Sequence, residues 1–89
     1  MLTVCRAVDN AGIGVDVTSG SGNGIKRNRI AKNTGEGIRL RSGVTLASVL
    51  GNISLENSGD DLKDDNTDCG DNNWDKNIEA TANPTSCVQ

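Results

Sequence analysis

The stretch Asn33-Thr34-Gly35-Glu36-Gly37-Ile38-Arg39-Leu40 sets a lead asparagine and two glycines before a short apolar alternation. Two further copies frame it: Asn10-Ala11-Gly12-Ile13-Gly14-Val15-Asp16-Val17 upstream and Asn57-Ser58-Gly59-Asp60-Asp61-Leu62-Lys63-Asp64 downstream. The lead asparagines lie 23 and 24 residues apart. A period in that range, with glycine ahead of each alternation, signals a solenoid and specifically a coiled parallel sheet.

The repeat can be read at a second phase. Leu2, Ile25 and Val49 match one another, as do Cys5, Asn28 and Asn52, so residues 28–33 and 52–57 are equivalent. Each rung is therefore expected to hold two or three strands of only a few residues, apolar inward and polar outward. The asparagines Asn10, Asn33 and Asn57, and in the second phase Asn28 and Asn52, fall at the bends. Stacked at one corner of successive rungs, their amides can form ladders that satisfy turn backbone groups. Cys5 stands where the other rungs carry Asn, as a small buried thiol. Two stretches interrupt the pattern. Residues 18–24 are polar and glycine-rich and read as a loop; they lack the Lys-Ser/Thr ending of a phosphate cradle. Residues 42–50 occupy the same place one rung later and, being more apolar, are expected to replace the loop with strand.

Composition agrees with a coil. The 89 residues contain no Phe, no Tyr and one Trp, Trp74, which is little aromatic bulk for a globular core of this size. Eleven glycines and a comparable use of asparagine supply corners, since both tolerate left-handed backbone angles. Disorder does not explain a phased repeat. A net charge of −3 argues against nucleic acid, for which a basic stripe would be expected. No apolar run approaches a membrane span, and the first residues lack the layout of a signal peptide.

Past Leu62 the repeat decays into an acidic stretch, and residues 72–78 read as one more, degenerate rung segment. Residues 69–89, small, polar and bearing Trp74, read as a C-terminal cap over rungs at 1–68; solenoids need such an atypical terminal unit. Cys69 and Cys87 flank this segment. Paired, they would staple it and contribute about 3 kcal/mol by restricting the unfolded chain; two separate reduced thiols are the alternative. A disulfide would imply an oxidising compartment, extracellular or periplasmic.

The Asn-x-Gly-x-Gly-Ile-x-Leu rungs, together with Asp68-Cys69-Gly70-x-Asn72-x-Trp74-x-x-Asn77 and the closing Cys87-Val88, resemble right-handed parallel β-helix repeat proteins of the pectate lyase-like superfamily. The resemblance covers essentially the whole chain and implies an all-β fold: a short right-handed parallel β-helix of about three rungs with a disulfide-pinned cap. It matches only the final rungs and cap of such proteins. The superfamily includes polysaccharide lyases, glycoside hydrolases, uronate epimerases and surface adhesins, so the resemblance implies no single activity. The first residues enter the repeat in register without an N-terminal cap. Either the chain is truncated or mobile, or another chain covers the open rung.

Chemistry concentrates in the acidic stretch. Asp64, Asn66 and Asp68 alternate with other residues and end on Gly70, as oxygen ligands do in calcium loops. Calcium is the one cofactor the residues suggest. The EF-hand glycine position holds Cys69, and no Glu follows at the expected distance. Asp60-Asp61 echoes fragments of polygalacturonases of this fold, but the chain has no His and few rungs for a substrate groove. Catalytic residues are therefore not assigned. Arg39 and Arg41 stand at alternate positions of one strand, with Arg27 and Arg29 taken as one rung earlier, and could bind an acidic polysaccharide; a solubilising face is the simpler reading. The sequence thus favours a non-enzymatic structural or interaction module that self-associates into a homo-oligomer through its N-terminal rung. A carbohydrate-binding or carbohydrate-processing remnant is the alternative.

Overall fold

A computed structural model describes residues 6–8, 11–85, 87 and 88, the first three by their backbone alone. Eleven strands, nine of three residues and two of two, make up nearly all of its regular structure. They are β1 (Arg6–Val8), β2 (Val15–Val17), β3 (Gly24–Lys26), β4 (Arg29–Ala31), β5 (Ile38–Leu40), β6 (Ser48–Leu50), β7 (Ile53–Leu55), β8 (Leu62–Asp64), β9 (Asn73–Asp75), β10 (Ile78–Glu79) and β11 (Ala82–Asn83). A single 3₁₀ turn, Thr67–Cys69, precedes β9.

All pairings between these strands are parallel, and they form three sheets. The first has the order β1-β4-β7-β10, the second β11-β8-β5-β2 and the third β3-β6-β9. The chain visits the sheets in one cyclic order, so each circuit adds one strand to each. Three circuits are complete, and β10 and β11 begin a fourth. Sequence position therefore maps onto position along the stack.

Register turns the short alternation into a core. In the second sheet Val15, Ile38 and Leu62 align, as do Val17, Leu40 and Asp64. In the third, Ile25, Val49 and Trp74 align. All of these are at most 5% exposed, and in the first sheet Ile30 and Ser54 are fully buried. The middle residues of the second sheet, Asp16, Arg39 and Lys63, form an outward column instead. From β2 to β9 these short strands bury one or two side chains each, which is why aliphatic residues suffice and only one aromatic is needed.

Three expectations are revised. Residues 42–50 are strand only at β6; before it Gly43 and Leu46 turn through φ 95° and 54°, Leu46 is 60% exposed, and the contact with the preceding circuit is one isolated bridge, Ser21 to Thr45. The rung segment expected at 72–78 is present as β9 and the start of β10, and the repeat runs further than that expectation, because β11 carries the second sheet on into the stretch read as cap. Finally, Arg29 lies in the first sheet and Arg39 in the second, so Arg27 and Arg29 do not stack beneath Arg39 and Arg41.

Cys69 and Cys87 form the disulfide. It ties the tail after Asn83 to the 3₁₀ turn after β8, and Val88 joins Trp74 and Cys69 in the buried cluster. Among the described residues no helix is long and apolar enough to cross a membrane.

Candidate functional site

The polar side chains are best followed corner by corner, because nearly every one predicted to act on a ligand is held by another part of the chain. In the column that begins at Asn28, the Asn28 N–H donates to Asn52 Oδ1 at 2.9 Å, and the Asn52 N–H to Asn77 Oδ1 at 2.9 Å. The amides also reach back: Asn52 Nδ2 donates to the Ile25 carbonyl at 2.8 Å and Asn77 Nδ2 to that of Val49 at 2.9 Å. The equivalent acceptor for Asn28 Nδ2 would be residue 2, outside the described residues; this buried nitrogen has no partner among those described. The sequence marks Asn77 only as part of the C-terminal signature and not as a ladder member, because the fourth circuit is otherwise degenerate.

The second column runs Asn33, Asn57 and then Asp61. Asn33 donates its N–H and Nδ2 to Asn57 Oδ1 at 3.1 and 2.9 Å, and Asn57 does the same to Asp61 Oδ1 at 3.2 and 2.8 Å. Asn10, the predicted head of this column, lies outside the described residues. Both asparagine columns support the ladder reading. Asn33 is 1% exposed, so Asn33→Ala should take one of two donors from Asn57 Oδ1, leaving the backbone N–H, and open a small void. A loss of about 2 kcal/mol is expected, read as a lower urea midpoint; an unchanged midpoint would count against the ladder.

Asp61 ends the column for a local reason. Six residues separate β7 from β8, but only Ala80 and Thr81 separate β10 from β11. The shortened corner has no asparagine, so Asp61 fills its place. Its Oδ2 accepts the N–H groups of Ala80 and Thr81 at 3.0 and 3.2 Å, and its own N–H donates to Thr81 Oγ1 at 2.9 Å. Glu79 lies nearby with Oε1 buried and unpaired among the described residues. Burial, and secondarily the charge of Asp61, push its carboxyl above the usual range.

The calcium set fares differently from its reading as a loop of alternating oxygen ligands. Asp64 is 4% exposed and turned inward. Its Oδ1 accepts Asn66 N–H and Nδ2 at 2.9 and 2.8 Å, and its Oδ2 accepts Asn72 Nδ2 at 3.2 Å and Trp74 Nε1 at 2.9 Å. An ionised carboxylate has about four lone-pair sites, and all four are in use. Asn66 and Asn72 are occupied in turn: their Oδ1 atoms accept the N–H groups of Gly43 and Ala47 at 2.8 and 2.9 Å. Asp68 sits in the turn at φ 49° and is exposed. Asp64, Asn66 and Asp68 therefore do not converge on a common centre. Among the described residues no group of three or more Cys, Asp or Glu is placed to hold a metal ion.

The outward arginines are also engaged. Arg41 forms a two-point bond with Asp16, at 2.8 and 3.0 Å. That bond, helped by the charges of Arg41 and Arg39, holds the Asp16 carboxyl below its ordinary range. Arg39 bonds Asp65 at 2.9 Å and Glu36 at 3.4 Å. Each arginine thus bridges circuits of this same chain, where an acidic glycan would have to displace a carboxylate already in place. Free polar groups remain elsewhere. Outside the first sheet a shallow depression of about 240 Å³ is lined by Arg29, Ala31, Ile53, Leu55 and Glu56. Among the described residues each sheet also ends in a strand with a partner on one side only: β1, β2 and β3 at one end of the stack, β10, β11 and β9 at the other.

No protein-family model, curated protein or solved structure matches this chain.

Proposed function

We propose that the chain is a short right-handed parallel β-helix acting as a non-enzymatic structural module, one that associates with itself through its N-terminal edge. One observation carries the reading: the candidate ligand-binding side chains other than Asp68 are engaged inside the chain, while β1, β2 and β3 each lack a partner on one side among the described residues. An unpaired parallel edge offers a row of N–H and C=O groups that a further strand can satisfy. The cyclic strand order supports the solenoid, and parallel crossovers are right-handed in about 98% of cases. The resemblance to the pectate lyase-like superfamily points the same way. The Cys69–Cys87 disulfide favours an extracellular or periplasmic setting.

Light scattering across a dilution series is the test. The mass should exceed that of one chain and grow with concentration. A single-chain mass at every concentration would overturn the proposal.

A further inference from the structure

The two ends of the stack differ in charge as well as in sequence. Residues 1–49 hold seven Lys or Arg and three Asp or Glu, a net of +4; residues 50–89 hold two and nine, a net of −7. Because each circuit lies on the one before, this is a gradient along the axis, basic toward β1 and acidic toward β10. Part of it is exposed and unpaired among the described residues. Lys26, Arg27, Arg29 and Lys32 lie on the first two circuits, and Glu56, Asp68, Asp71 and Asp75 lie later.

From this we infer that the N-terminal edge takes the C-terminal edge of a second copy, head to tail. The inference rests on the self-association proposed above and adds its polarity. Head-to-head contact would bring two positive ends together and run the facing strands in opposite senses. Head-to-tail contact sets opposite charges face to face and continues the parallel sheets.

The backbone fits this continuation. The N–H groups of Ile53 and Ile78 donate to the carbonyls of Asn28 and Asn52, one circuit earlier. Arg6 and Val8 occupy the Ile53 and Leu55 columns, so their N–H groups face outward past β1. In the second sheet the direction reverses: Val15, Ile38 and Leu62 donate to Gly37, Asp61 and Thr81, one circuit later. Ala82 shares that column, so its N–H faces outward past β11. The second copy's β1 continues β10, and its β2 continues β11. Among the described residues the third sheet has one strand fewer than the other two.

Two edge-blocked variants test the polarity. Val8→Pro removes an outward N–H at the N-terminal edge, and Ala82→Pro removes one at the C-terminal edge. Every head-to-tail contact needs one intact end of each kind. Each variant alone should therefore run as a single chain, and a mixture should form a complex of two copies and no more, detected by light scattering. That rescue shows both variants are folded. Wild-type assembly should extend with concentration, since such a contact does not close, and should weaken at least tenfold when salt is raised until the Debye length falls to about 3 Å. If Ala82→Pro alone stays a dimer while Val8→Pro does not, or the mixture forms no complex, head-to-tail contact is overturned and self-association survives. A wild-type monomer at every concentration overturns both.

Discussion

Gly37→Ala is expected to be the most damaging single-methyl change in the chain, lowering stability by about 3 kcal/mol or more. The reason is spatial. A Cβ at Gly37 would fall against Ser54 Oγ, 2.5 Å from the Asp61 carbonyl oxygen and 2.6 Å from Asn57 Nδ2. Asn57 Nδ2 belongs to the asparagine column, the Asp61 oxygen is backbone, and Ser54 Oγ is hydrogen-bonded to both, so none is a loose end that can swing away. Gly14 shows the same pattern one circuit earlier, where the added carbon would meet Asn33 Nδ2 at 2.6 Å. Each glycine thus makes room for the asparagine of the following circuit. In the third circuit the aligned position is Asp61, and the following corner has lost its asparagine; the space is filled from within. Gly12→Ala is the matched control, since nothing lies within 4 Å of its added carbon. Equilibrium urea unfolding should show a much lower midpoint for Gly37→Ala and almost none of that loss for Gly12→Ala. Equal midpoints would mean that the column does not crowd this glycine.

That relation between Gly37 and Asn57 explains why the sequence was readable where it was. The phrase from Asn33 to Leu40 carries its own structural logic: an asparagine for the ladder, a glycine for the previous ladder member and an alternation for the core. All recur at the period, so pattern alone exposes them. What pattern could not show were contacts made once. Asn66 and Asn72 cap single backbone N–H groups at the corner between the second and third sheets and have no repeat to announce them. Nor do the residues ahead of the ladder asparagines look special. Arg27, Lys32, Glu56 and Lys76 are left-handed, with φ between 55° and 62°, in places where glycine would be the expected choice and where only Gly51 supplies it. The arginines misled for a related reason. Alternation put Arg39 and Arg41 on the outside correctly, but it gave no sign that Asp16 and Asp65, 25 and 26 residues away, would meet them.

Asp64 shows the same limit at higher energetic stakes, and its replacement is the second large effect. As one of a run of acidic residues it looks like a solvated carboxylate or a calcium ligand. In the fold it takes the inward position that Val17 and Leu40 hold in earlier circuits. A charge there is tolerable only because four N–H donors converge on it, from Asn66, Asn72 and the Trp74 indole. Removing the carboxylate leaves the Asn66 N–H and the buried Trp74 indole N–H unpaired and takes one acceptor from each of the Asn66 and Asn72 amides, which keep the Arg41 and Val44 carbonyls. Asp64→Ala should therefore cost about 3 kcal/mol, in the range for losing several bonds to a buried charged acceptor. Asp64→Leu separates packing from bonding: it restores the apolar column but leaves those two N–H groups unpaired, and should recover only part of the loss. Trp74, the one tryptophan, lets fluorescence follow the indole's surroundings and the unfolding midpoint in the same titration. Calcium supplies the converse check. With the carboxylate lone pairs already engaged, millimolar calcium should leave the wild-type melting temperature where it was. A rise with calcium that disappears in Asp64→Ala would restore Asp64 as a ligand, since a bound ion stabilises only the state that binds it.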